Sequence, residues 1–293
     1  MRLFGQAESS AFCLAYIVFT QERRVIMAKI GFIGVGNMGY AIFSKLIEVV
    51  DKKDVLFTDV NKSRCQEIAE STGAVYVEDN YNLAKEADYI ILAVKPQFFD
   101  EVLKDIKDAI DESKVVLSIA AGVTIARIAE GLGGKARVVR SMPNTPAMVG
   151  EGMTGVAYDE TLFSDEELKV IDTIYTSYGK YSKVPEKLMN VVTCASGSSP
   201  AYVYMFIEAL ADGVVKYGMP RETAYKFVAQ TVLGAAKMVL ESGEHPGVLK
   251  DRVCSPGGTT IAALAALEEE GFRNSIIKAT DACYEVGESL SGK

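Results

Sequence analysis

The sequence predicts an α/β protein in two parts, a doubly wound sheet domain over 27–185 followed by an all-α domain over 186–293. Three observations predict it. A glycine-rich turn, Gly34-Val35-Gly36-Asn37-Met38-Gly39, falls directly between a strand-like run and a helix-like stretch. Short apolar runs then alternate with helical segments as far as 184, the pattern of parallel strands covered by helices on both faces. Beyond Glu186 the strand period stops, and glycine or proline marks off one helical segment after another. With 293 residues, the chain has length for about two domains of roughly 150 each.

Residues 1–26 read as an extension ahead of the first domain. Their apolar run 11–19 (AFCLAYIVF) is about half the ~20 residues a membrane-spanning helix needs, and it lacks a small-residue cleavage site after it. The run 29–33 (KIGFI) is the first strand, and the glycine turn and a helix over 40–50 follow at once. The three glycines do different things. Gly34 allows the tight turn, Gly36 lets the backbone approach a pyrophosphate, and Gly39 permits close helix packing. A pyrophosphate would then rest on the positive end of that helix, as in Rossmann-like domains that bind dinucleotides.

A second strand over 55–58 ends at Asp59, placed to accept hydrogen bonds from an adenosine ribose and so to favour NADH. Asn61, Lys62 and Arg64 follow immediately and suit the 2′-phosphate of NADPH instead, so both cofactors stay open; Asp59 to Asn61 also suits a turn capping the helix over 63–72. Strands are expected over 74–77, 89–94, 115–119, 137–140 and 181–184. Helices are expected over 82–87, 98–110 and 124–131, and from the capping box Ser164-Asp165-Glu166-Glu167 to about 178. Ligands of such sheets bind beyond the carboxyl ends of the strands. Ala93-Val94-Lys95-Pro96, Ala120-Ala121-Gly122 and Met142-Pro143-Asn144-Thr145-Pro146 therefore share one rim.

Composition narrows the chemistry. The 39 acidic against 31 basic residues, net −8, repel nucleic acid and anionic membranes, while a local array of N–H donors can still hold a small anionic ligand. A single histidine, His245, removes mechanisms needing two imidazoles and makes a histidine-rich metal site improbable; no metal is expected. His245 precedes Pro246 at a helix start, where a structural cap is the simpler role. Five scattered cysteines without a C-x-x-C pair suit reduced thiols in the cytoplasm, and Cys254 reads as a small space-filler.

Helices in the second domain are expected over 187–195, 200–217, 220–241, 246–253, 260–270 and 272–290. The stretch 202–207 (YVYMFI) is apolar on every face, and a helical unit this small has too little interior to hide it, so a homodimer or larger assembly follows. Two loops are richer in polar residues and glycine than linkers need: Ser196-Gly197-Ser198-Ser199-Pro200 and Cys254-Ser255-Pro256-Gly257-Gly258-Thr259-Thr260. In the second, backbone N–H groups at Gly258, Thr259 and Thr260 open a helix and can grip a carboxylate, while the hydroxyls of Ser255 and Thr260 can bond a ring nitrogen. Ordinary capping is the competing reading of that loop.

Together with Phe32 to Met38, Ala93 to Pro96, Met142 to Pro146 and His245-Pro246-Gly247, that loop makes the chain resemble pyrroline-5-carboxylate reductases over about 29–289. The resemblance implies NADPH- or NADH-dependent reduction of the C=N of 1-pyrroline-5-carboxylate to L-proline, with a helical dimerisation domain and an active site completed across the dimer. Dimers are implied to assemble further, for example into decamers. By position, Gly34, Val35, Gly36, Asn37, Met38, Asn80, Ala93, Val94, Lys95, Pro96, Ala120, Ala121 and Gly122 would hold the nucleotide, beside Asp59. Glu186, Gly257, Gly258, Thr259 and Thr260 would hold substrate, with Thr260 as the donor that polarises C=N and Ser255 nearby. Arg252 stands where relatives can carry an asparagine touching cofactor, and Ser199 where many carry glycine. A different two-domain dehydrogenase, acting on hydroxyacids or other imines, and a nucleotide-binding regulator share the fold and stay open on the residues alone.

Overall fold

The computed structural model describes residues 28–291, so the extension expected over 1–26 lies outside the described residues. The strand β1 (Ile30–Ile33) is buried at every position, as its unbroken apolar run requires of a strand covered on both faces. It is followed by α1 (Asn37–Val49), β2 (Val55–Thr58), α2 (Lys62–Thr72), β3 (Val75–Tyr76), α3 (Asn80–Glu86) and β4 (Tyr89–Leu92). Next come α4 (Phe99–Ile106), β5 (Val115–Ser118), α5 (Ile125–Gly131), β6 (Arg137–Met142), β7 (Gly152–Ala157), α6 (Asp165–Thr176) and β8 (Gly179–Lys183). The eight strands form one sheet in the order β3-β2-β1-β4-β5-β6-β7-β8. Phe32 of β1 stands opposite Phe57 on one side and Ile91 on the other. The order reverses at β1, so the crevice at its carboxyl end, where the glycine turn lies, is the expected ligand position.

Both faces carry a core. On one, the Phe43 ring of α1 meets Phe32 edge-on at 5.6 Å and Phe57 at 5.2 Å. On the other, Leu83, Ile90, Leu92 and Phe99 pack together with residues of α4 and α5. The capping box on α6 forms as expected: Ser164 Oγ accepts from the Glu167 N–H at 3.3 Å, and Glu167 Oε2 accepts from the Ser164 N–H at 2.8 Å.

The sheet departs from the expected uniform parallel pattern at its last strands. Strand β7 is absent from the sequence-based expectation; it runs antiparallel to β6, and β8 runs parallel to β7. Its sequence, GMTGVA, has neither a long apolar run nor a clean alternation, and its glycines weaken any strand signal. Packing explains them: a Cβ on Gly155 would sit 2.6 Å from Val192 Cγ1, so the helical part can close on this strand only over a glycine. Helix α3 also begins earlier than expected, because the Asp79 carboxylate accepts from the Asn82 N–H and caps it.

The second part is helical throughout: α7 (Met189–Val192), a π-helical turn (Thr193–Gly197), α8 (Ser199–Val215), α9 (Arg221–Ser242), α10 (Pro246–Val253), α11 (Thr259–Glu269) and α12 (Phe272–Ser291). His245 caps α10, its Nδ1 accepting from the Gly247 N–H at 3.0 Å. The interior of this part is small, its buried cluster being Ala211, Ala224 and Val228. Much of its apolar surface stays outside in a single chain: Met205 is 73% exposed, Phe227 63% and Leu240 84%. Among the described residues, no helix is long and apolar enough to cross a membrane.

Candidate active site

The glycine turn, the loop after β4, the loop after β5 and the loop after β6 enclose a cleft of about 550 Å³ at the carboxyl edge of the sheet. Gly36, Asn37, Met38, Ala93, Val94, Lys95, Pro96, Ala120 and Ala121 line it, together with Met142, Pro143, Asn144 and Thr145. Most of the expected nucleotide positions are therefore brought to one surface by a single fold feature, the switch point of the sheet.

The three glycines differ in what the protein itself demands of them. Gly34 has φ +96, and a Cβ there would lie 2.8 Å from the Ala93 carbonyl oxygen; at Gly39 a Cβ would lie 2.3 Å from the Gly34 oxygen. At Gly36 a Cβ would meet nothing within 4 Å, although this residue faces the cleft and opens α1. The packing of this chain does not explain a glycine at 36, whereas a phosphate lying against the backbone does.

Asp59, at the end of β2, accepts from the Val35 N–H at 2.8 Å and from the Asn61 N–H at 3.0 Å. Its carboxylate thus ties the glycine turn to the β2–α2 loop. Asn61 caps α2 through the Arg64 N–H, the Arg64 guanidinium lies 5.6 Å over the Tyr40 ring, and Lys62 hydrogen-bonds the Glu78 carbonyl. Asn80, the first residue of α3, donates to Asp105 at 3.1 Å and stands outside the cleft lining. Gly122 has φ +76 and packs against the Leu290 backbone, where a Cβ would come within 3.2 Å.

Two contributors have no individual role in the sequence reading. Asn144 is 7% exposed; its Nδ2 donates to the Ser196 carbonyl at 3.1 Å and its Oδ1 accepts from the Met153 N–H at 2.9 Å. It pins the rim loop to the π-helical turn, which in turn places Gly197 in the cleft wall. The glycine is required there, since a Cβ would come 2.7 Å from Met142 Cε. The advance signals are the place of the 142–146 loop on the rim of the sheet and the polar richness of the 196–200 loop.

The expected substrate residues lie elsewhere in the same chain. Glu186 sits at the junction of the two parts, accepting from the Ile125 N–H at 2.8 Å and from the buried Arg140 guanidinium at 3.2 Å. Ser255, Gly257, Gly258, Thr259 and Thr260 form the turn into α11, closed by a bond from the Gly258 N–H to the Ser255 carbonyl at 3.0 Å, with Gly257 at φ +68. Helix α11 has eleven residues, and the N–H groups of its first turn have no acceptor within the helix. None of these residues lines the cofactor cleft of its own chain. Arg252 is held by Glu244 on the exposed side of α10.

Residues 186–290 match the family model for pyrroline-5-carboxylate reductase dimerisation, and 29–122 match the model described as NADP oxidoreductase coenzyme F420-dependent. Pyrroline-5-carboxylate reductase of Escherichia coli K12 is 46% identical over 266 residues, covering 90% of this chain and 98% of that one. The chain belongs to the pyrroline-5-carboxylate reductase family. The Methanosarcina acetivorans pyrroline-5-carboxylate reductase is 43% identical over 88% of the chain and 98% of its own length. Among solved structures, the reductase of Coxiella burnetii superposes with a TM-score of 0.83 at 35% identity, covering 90% of this chain and 98% of that one. The Plasmodium falciparum pyrroline carboxylate reductase, solved with NADP bound, gives 0.80 at 33% identity, covering 91% and 99%. In this family member the helices with uncovered apolar faces, α8 and α9, fall within the residues matched to dimerisation.

Proposed function

We propose that this chain reduces 1-pyrroline-5-carboxylate to L-proline with NADPH or NADH, the last step of proline biosynthesis, at a site built from two copies of the chain. The observation that carries the reading is Gly36, which opens α1 at the cleft and whose missing side chain answers to no contact within this chain. In this reading Gly34 to Met38 receive the pyrophosphate, with Asp59 and Asn80 on the adenosine side and Ala93 to Pro96 and Ala120 to Gly122 around the nicotinamide half. The bound nucleotide supplies the hydride.

The second copy presents the turn 255–260. Backbone N–H groups of Thr259 and Thr260, with Gly257 and Gly258 shaping the approach, hold the substrate carboxylate; helix-end attraction for an anion contributes about 0.3–2 kcal/mol. The Thr260 hydroxyl donates to the ring nitrogen and draws electrons from C=N, so that the carbon takes the hydride while the nitrogen takes a proton passed from water through that hydroxyl, and Ser255 supports the donor. No side-chain nucleophile is needed, which fits a chain with one histidine already used as a helix cap. Glu186 serves the substrate side from the domain junction, where Arg140 and Ile125 hold its carboxylate. Homodimers assembling into a larger oligomer such as a decamer, and action in the cytoplasm, belong to the same reading.

The test is oxidation of NADPH and of NADH followed with 1-pyrroline-5-carboxylate, with hydroxyacid-derived ketones as controls. Turnover confined to the cyclic imine is expected. Nucleotide binding without turnover on it, or preference for a ketone, would overturn the reading.

A further inference from the structure

Outside the cofactor cleft, a second cavity of about 480 Å³ lies between Ala121-Gly122 and α12, with Ser198, Tyr202 and Cys283 on its wall. The Cys283 thiol donates to Ser198 Oγ at 3.3 Å; Ser198 follows Cys194 by four residues, and Tyr202 and Cys194 are near enough to act on the ionisation of Cys283. Cys194 stands behind it on the π-helical turn, 4% exposed, its thiol donating to the Asn190 carbonyl at 3.3 Å. The two sulfurs differ in character. Burial, reinforced by Cys283, pushes the Cys194 thiol up to about 11. At Cys283 burial acts in the same sense, but its polar neighbours Ser198, Cys194 and Tyr202 outweigh it and hold the thiol below its ordinary value. The sulfur that ionises more readily is the one facing the cavity, and the thiolate is the reactive form.

We propose that Cys283 and Cys194 form a peroxide-reactive dithiol site, Cys283 being the sulfur attacked first and Cys194 the one that closes an intrachain disulfide. The Cys283 thiolate attacks one peroxide oxygen; an S–O bond forms, the O–O bond breaks, and the departing hydroxide takes a proton to become water. Cys194 then attacks the sulfenic sulfur; the S–S bond forms, the S–O bond breaks, and the hydroxyl leaves with the Cys194 proton as a second water. The two electrons lost by the sulfurs reduce one hydrogen peroxide to two waters.

The site adjoins the cofactor cleft at Ala121, which borders both, and through the π-helical turn. Cys194 shares its π-helical turn with Ser196, which accepts from Asn144, and with Gly197, which lines the cleft. Single π-turns of this kind concentrate at functional sites. An S–S bond of about 2.05 Å is shorter than any contact between two separate thiols, so closing it shifts the turn whose Ser196 carbonyl is bonded to Asn144. Oxidation therefore weakens nucleotide binding by about 3-fold or more, the factor carried by one neutral hydrogen bond.

The full-length enzyme is treated with hydrogen peroxide, alkylated, and mapped without reductant, with NADPH affinity measured in parallel. Expected are a Cys194–Cys283 linked peptide and weaker NADPH binding, both reversed by dithiothreitol. In Cys194→Ser, Cys283 is expected to accumulate as a sulfenic acid trapped by dimedone; in Cys283→Ser, Cys194 is expected to stay reduced and NADPH affinity to ignore peroxide. Both thiols remaining alkylatable after peroxide, or Cys194 oxidising as readily in Cys283→Ser, would overturn the proposal.

Discussion

Alanine at position 36 separates what the fold needs from what the nucleotide needs. A Cβ at Gly36 meets no heavy atom within 4 Å, and the residue's φ of −64 is one alanine adopts freely. Glycine to alanine at such a position stabilises by about 0.4–1 kcal/mol through the unfolded chain, and loss of the glycine N-cap of α1 offsets this, so Gly36→Ala should leave Tm within about 2 °C. The methyl group projects into the space where a phosphate would approach the turn. Losing one charge-assisted hydrogen bond there costs about 1.5–3 kcal/mol, or roughly 10- to 150-fold in Kd. The assay is NADPH titration by fluorescence or calorimetry, paired with thermal unfolding. Gly39→Ala is the contrasting control, since its Cβ would lie 2.3 Å from the Gly34 oxygen and should lower Tm. Gly36→Ala binding NADPH within about twofold of the wild type, with Tm intact, would refute the reasoning.

Three further outcomes follow from the same geometry. Gly155→Ala forces a Cβ to 2.6 Å from Val192 Cγ1 and should destabilise by about 1–3 kcal/mol in urea unfolding, with part recovered by adding Val192→Ala. Thr260→Ala should lower kcat by roughly 10-fold or more, about 1.4 kcal/mol, with nucleotide Kd unchanged; an unchanged kcat removes Thr260 from the reaction. Burial acts to raise the Glu167 carboxyl, but the Ser164 N–H and Arg137 outweigh it and hold it below the ordinary glutamate range. A folded value below the unfolded one gives stability that is present above the unfolded range and lost as pH falls through the folded value. Glu167→Gln should therefore cost about 1 kcal/mol near pH 7 and progressively less as pH falls below the ordinary glutamate range; a cost independent of pH would contradict the capping and ion-pair role.

Features carried by local chemistry were legible in the sequence. The turn at Gly34, the close packing at Gly39, the cap at Ser164, the strand-end acid Asp59 and the polar turn into α11 each depend largely on neighbours in the same motif. Features decided by distant packing were not. Strand β7 exists because Gly155 accommodates Val192, a residue far along the chain, and no periodicity announces that contact. Asn144 reads only as one member of the rim loop 142–146 until Ser196 is found against its amide, and Glu186 carries no sign in its own neighbourhood that Arg140 will hold it. The candidate site divides along the same line: its proposed cofactor half follows from one motif and one topological switch, whereas its proposed substrate half is a turn that does not reach the cleft of its own chain.

That division can be measured with two damaged enzymes. Gly36→Asp puts a carboxylate into the pyrophosphate position of the cleft, and Thr259→Ala with Thr260→Ala removes the hydroxyls of the substrate turn. The two variants are dissociated, mixed in equal amounts, reassociated and assayed for NADPH oxidation by 1-pyrroline-5-carboxylate. With the site shared between copies, random pairing gives half mixed dimers, each with one intact site, and the mixture should recover about a quarter of wild-type turnover. Activity no greater than the average of the two separate variants would contradict a site shared between chains.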